Sequence, residues 1–140
     1  MKRVLISWLS FILLLGAIPH SFASNLGDSG GKPDVFCHVL KEPDPALMGS
    51  WKCTFERCLE EGGWESNPVQ YRLIKYEGKY ALYFSRISRS GKKQYIGWRD
   101  WTVNGTEILS NTGVKIFAKD GEVFFVWRDE KPVKMTRIGP

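Results

Sequence analysis

Two dipeptides, Asn104-Gly105 and Asp120-Gly121, each stand between short runs in which apolar and polar residues alternate. The tight turn they favour needs positive φ, so each marks a two-residue β-hairpin. Glu77-Gly78 holds the same place one hairpin earlier. No long stretch of helical periodicity follows residue 48, and the alternation predicts eight strands: 50–57, 69–76, 79–87, 94–103, 106–110, 114–119, 122–128 and 133–138. Ahead of them, 45–48 suits one short turn of helix, and EEGGWESN and SRSGKK read as loops. Eight short strands in a hairpin meander make an all-β fold. Its edge-free form is an eight-stranded antiparallel up-and-down barrel, with a two-sheet sandwich as the competitor. With two-residue turns Leu73 faces Leu82, Trp101 faces Ile108 and Ile116 faces Phe125, so the apolar sets of each hairpin share a face.

The beginning of the chain is of another kind. Lys2 and Arg3 precede an apolar run from Val4 to Ile18, and Ser21 and Ala23 flank Phe22. This pattern predicts a secretory signal peptide over 1–23, and the run is too short for a stable membrane anchor. Residues 24–44, opening SNLGDSGGKPD, read as a flexible leader, and 45–140 as one barrel domain. The net charge of +5 becomes +3 without Lys2 and Arg3, too small and too dispersed to indicate a nucleic-acid partner. An exported protein, periplasmic or extracellular, is the expectation.

Export bears on Cys37, Cys53 and Cys58, since oxidising compartments favour disulfides. Five residues along one strand separate Cys53 from Cys58 by more than a disulfide spans. The expected bridge therefore joins Cys37 to Cys53 or Cys58, leaving one thiol over.

Gly49-Ser50-Trp51 at the mouth of the first strand, a helical turn before it, eight meander strands and Arg137 in the last strand together resemble the lipocalin-like, or calycin, barrels. The resemblance covers 45–138. It implies that Trp51 sits at the closed end with Arg137 packed over it, and that Gly49, Trp51 and Arg137 have structural roles.

Strand parity sends Arg86, Arg99, Tyr71, Tyr80 and Tyr95 inward among Trp101, Phe125 and Trp127. A few polar groups in an apolar cavity are how small-ligand sites are built. Arg99 is the expected head-group anchor, with Arg86 beside it, Tyr71 and Tyr95 as hydrogen-bond donors, and Trp101, Phe125 and Trp127 as the wall. The related fatty-acid-binding barrels, by resemblance, hold anionic lipids with such an arrangement. The alternative is that these rings simply fill an interior only just wide enough for side chains.

Catalysis finds little support. His38 is the single histidine after residue 23 and stands beside Cys37; Asp34 occupies the first cysteine position of a haem-attachment motif, and no spacing suits a metal. No catalytic residue, metal or cofactor is expected. The function expected is non-enzymatic binding of a small apolar or anionic amphipathic ligand. The second expectation is a protein partner, such as a secreted protease inhibited through the leader. Arg86, Arg89, Lys92 and Lys93 near one hairpin tip, with Trp98 outward, form a further candidate surface.

Overall fold

The computed structural model describes residues 31–87 and 94–140. The expected signal peptide, the start of the leader, and Arg89, Lys92 and Lys93 of the basic tip lie outside the described residues. The described chain is all-β, with eleven strands and one 3-10 turn. The strands are β1 (His38–Lys41), β2 (Gly49–Cys58), β3 (Trp64–Tyr76), β4 (Lys79–Ile87), β5 (Gln94–Arg99), β6 (Thr102–Asn104), β7 (Glu107–Leu109), β8 (Val114–Lys119), β9 (Glu122–Trp127), β10 (Val133–Lys134) and β11 (Thr136–Gly139). Pro45–Leu47 forms the 3-10 turn, capped by Asp44, whose Oδ1 accepts the Ala46 N–H at 2.8 Å.

The ladders form two sheets rather than one closed barrel: β11-β2-β3-β4-β5 and β1-β6-β7-β8-β9-β10. The expected strand 94–103 is divided at Asp100-Trp101 into β5 and β6, and 133–138 is divided at Met135 into β10 and β11. Each of these segments begins in one sheet and ends in the other. Met135 keeps one ladder bond across the division, its N–H donating to the Val123 carbonyl at 2.8 Å.

At the first division another element intervenes. The Cys37 N–H donates to the Tyr80 carbonyl of β4 and the His38 N–H to the Trp101 carbonyl, both at 2.9 Å. β1 then runs parallel to β6 and ends with the Gly105 N–H donating to the Lys41 carbonyl at 3.1 Å. Residues 37–41, read from sequence as leader, thus join the two sheets where the strand crosses between them.

The core follows the expected parity. Phe55, Val69, Tyr71, Leu73, Leu82, Phe84, Trp101, Val103, Ile108, Ile116 and Phe125 are all buried between the sheets. Side chains of this size each contribute about 1.5–3 kcal/mol when fully buried. Leu73 pairs with Leu82 and Ile116 with Phe125, as expected. Ile108 instead pairs with Val103, two residues from the expected Trp101, because Gly105-Thr106 rather than Asn104-Gly105 occupies the turn. A shift of two preserves the buried face.

Alternate connections of the meander lie at opposite ends. One end carries the turns at Glu77-Gly78, Gly105-Thr106 and Asp120-Gly121 and is shut by the 3-10 turn. Leu47 is fully buried there, its carbonyl accepting the Tyr71 hydroxyl at 2.9 Å, while the Trp51 indole N–H donates to the Met48 carbonyl at 3.1 Å. Arg137 lies opposite Trp51 in the ladder with its guanidinium 5.7 Å from the indole centroid. This is the contact the resemblance implied.

The three cysteines are free. Cys53 faces Val69 of β3, which faces Arg86 of β4, whereas Cys37 lies beside Tyr80 and Arg99, near the other end of β4. Two strand spacings and several residues along the strand, at about 4.8 and 3.3 Å each, put the pair beyond disulfide reach. Cys58, exposed opposite Trp64, is farther still along β2. The expected bridge from Cys37 is therefore absent.

Candidate functional site

At the end opposite the 3-10 turn the facing sheets enclose a cavity of about 520 Å³, within the size range of small-ligand sites. Its apolar walls are Phe84 on β4, Trp101 between β5 and β6, Val114 on β8 and Trp127 on β9. Phe84 and Trp101 pack at a tilt of 45°, 4.7 Å between centroids. Its polar lining is dominated by guanidiniums from four places in the chain: Arg57 near the end of β2, Arg86 on β4, Arg99 at the end of β5 and Arg128 just after β9. Asp100 is the one carboxylate among the lining residues described.

Arg86 is the group that most needs explaining. Its side chain is 7 % exposed and lies on the same face as Leu82 and Phe84, in the core-facing register of β4. The guanidinium centre stands 4.2 Å from the Trp127 centroid, 5.4 Å from Phe55 and 5.8 Å from Tyr95. Its Nε and Nη2 donate to one oxygen, Asn67 Oδ1, at 3.4 and 3.2 Å. Asn67 is itself fully buried and is turned this way because its amide N–H donates to the Glu65 carbonyl at 3.3 Å.

The Glu65 carboxylate is engaged elsewhere, with Arg57 Nε at 2.9 Å. Among the described residues no carboxylate lies within 4.0 Å of the Arg86 guanidinium. Burial lowers the proton affinity of Arg86 and the nearby Arg57 cation lowers it further; Glu65 and Tyr95 act in the opposite direction, and Arg128 adds a smaller lowering. An arginine nonetheless stays charged. Among the described residues this buried cation, facing aromatic rings and one amide oxygen, has no carboxylate paired to it directly, Glu65 acting on it only from beyond ion-pair distance.

Arg128 is placed by an unusual backbone. Its φ is +48°, in the left-handed region that side-chain-bearing residues avoid. The conformation is fixed by its N–H, which donates to the Gly113 carbonyl at 2.9 Å. It brings the guanidinium to 5.4 Å from the Trp127 centroid, so Arg86 and Arg128 share one indole.

Of the seven residues expected to bind ligand, the structure brings Arg86, Arg99, Tyr95, Trp101 and Trp127 together in this cavity. Tyr71 lies elsewhere, fully buried at the closed end with its hydroxyl bonded to Leu47. Phe125 lines a second hollow of about 470 Å³, together with Phe55, Trp64 and residues 130–133; Trp127 borders both. Trp98 faces away from the core and packs edge-on against Tyr83 at 5.3 Å, while Trp64 is 67 % exposed.

Sequence reasoning missed Asn67, Arg57 and Arg128. Asn67 ends EEGGWESN, which reads as a loop, although its position two residues before Val69 continues the buried parity of β3. No protein-family model, curated protein or solved structure matches the chain.

Proposed function

We propose that this chain is an exported, non-enzymatic binding protein, and that its two sheets act as one flattened lipocalin-like barrel. The proposed ligand is a small amphipathic anion held at the open end. The observation that carries the reading is Arg86. Burying a cation without a directly paired carboxylate is costly, and replacing such a group by an apolar residue is often neutral or stabilising. Its retention against Trp127, in a cavity with three more arginines, is accounted for by an anionic ligand group. The guanidinium would hold the head group through charge-assisted hydrogen bonds. Trp101, Phe84 and Val114 would take the apolar body.

This reading moves the anchor from Arg99 to Arg86, which lies deeper, and leaves Tyr95 and Arg99 on the wall. The continuity of 94–104 and 133–139 across both sheets, and the Trp51–Arg137 contact at the closed end, support the barrel and the lipocalin likeness.

The test is a tryptophan-fluorescence titration with decanoate and with decanol. Decanoate is expected to give a saturable change and decanol a weaker one. Arg86→Met should weaken decanoate by at least about tenfold, the scale of one lost charge-assisted contact, while leaving the urea midpoint unchanged or raised. Decanoate binding that Arg86→Met leaves intact would remove Arg86 from the site and with it this function.

A further inference from the structure

We infer that the anion taken by this cavity is doubly charged, an oxyanion of the phosphate-monoester kind on a small aromatic or short aliphatic body. The inference rests on the amphipathic-anion function above and narrows it to one head-group class.

Charge is the first ground. The lining guanidiniums of Arg57, Arg86, Arg99 and Arg128 are opposed by Asp100 in the lining and by Glu65, which is held by Arg57. Two positive charges stay uncompensated among the described residues. A monocarboxylate would neutralise one of them and leave the other beside a newly dried site. A dianion matches both.

Geometry is the second. Arg86 and Arg128 both line the cavity and both approach the Trp127 indole, at 4.2 and 5.4 Å from its centroid. They are close enough, with Arg57, for each neighbouring cation to depress the proton affinity of Arg86. A carboxylate has two oxygens and satisfies one planar fork. A phosphate monoester has three terminal oxygens and meets forks from more than one direction.

Backbone conformation is the third, independent ground. Glycine or asparagine would occupy the left-handed corner at position 128 with less strain than arginine. The added Cβ of Gly113, were there one, would meet Arg128 Cγ at 3.2 Å, so the opposing loop is also shaped to let the Arg128 stem pass. Strain held at a ligand-facing residue is characteristic of a functional position.

The experiment uses phenyl phosphate and benzoate as probes, measured by calorimetry with the purified wild-type chain and Arg128→Asn. Near pH 7.5, where the phosphate is mostly dianionic because its second pKa is about 6, phenyl phosphate should bind at least about tenfold tighter than benzoate. The preference should shrink as pH falls through about 6. Arg128→Asn should keep the wild-type urea midpoint or raise it, yet bring the two affinities to within about threefold, as removal of the second cation requires.

Equal affinities in wild type, or a preference untouched by Arg128→Asn, would overturn the dianion assignment while leaving the anion-binding function standing. Binding of neither probe, together with no response to decanoate, would overturn both.

Discussion

A Cβ on Gly49 would stand 2.8 Å from the Gly139 carbonyl oxygen and 3.2 Å from the Arg137 guanidinium, in a backbone whose φ is already +94°. Gly49→Ala is therefore expected to destabilise the fold by more than the ~1–2 kcal/mol that the left-handed conformation alone costs, because β2 and β11 must also move apart. Urea denaturation measures it, and an unchanged midpoint would show that the closed end tolerates such movement. The Gly-x-Trp pattern and Arg137 were legible because they are short-range and chemically distinctive. The ranking of Arg86 and Arg99 was not. Parity puts both on one face, whereas depth depends on how far each sheet extends past the other, and that is fixed by long-range pairing. Asn67 was hidden for a related reason: a polar residue in a buried register reads as a loop until its partners, Arg86 and the Glu65 carbonyl, are known.

Among the elements, the hairpins β3–β4 and β8–β9 were readable from alternation and tight turns, down to Leu73 facing Leu82 and Ile116 facing Phe125. β1 was not. His38-Val39-Leu40-Lys41 has no two-residue alternation, and all four residues are exposed. What makes it a strand is unused backbone at the crossing between β5 and β6, which no local pattern records. His38→Pro removes the N–H that donates to the Trp101 carbonyl. The expected loss is about 1–3 kcal/mol, the cost of leaving a carbonyl in that setting unsatisfied. Hydrogen exchange should quicken at Gly105, whose N–H bonds the Lys41 carbonyl, and stay slow in β3. Unaltered protection at Gly105 would mean that β1 is not a structural tie.

For the molecule as a whole, two half-buried thiols set an alkaline limit. Burial pushes Cys37 from its ordinary value of 9.0 up to about 11, with Asp100 adding to the rise against a backbone hydrogen bond, and pushes Cys53 from 9.0 up to about 12. Above pH 9.0 the unfolded chain releases protons that the folded chain keeps, so rising pH favours unfolding. The contribution is complete below pH 9.0 and is lost progressively as pH climbs through about 11 and about 12. Cys53→Ala should flatten the fall in urea midpoint above about pH 9, and a slope equal to that of wild type would assign the alkaline loss to other groups.

The claim on which the functional account rests is that Arg86 holds an anion between two sheets that otherwise bury its guanidinium with no carboxylate paired to it directly. Native mass spectrometry of the protein taken from its own host, wild type beside Arg86→Met, addresses it most directly. A small bound mass, negatively charged once released, present on wild type and absent from Arg86→Met, is the predicted result. Equal occupancy of the two chains, or a wild-type protein that neither carries nor accepts an anion, would contradict it.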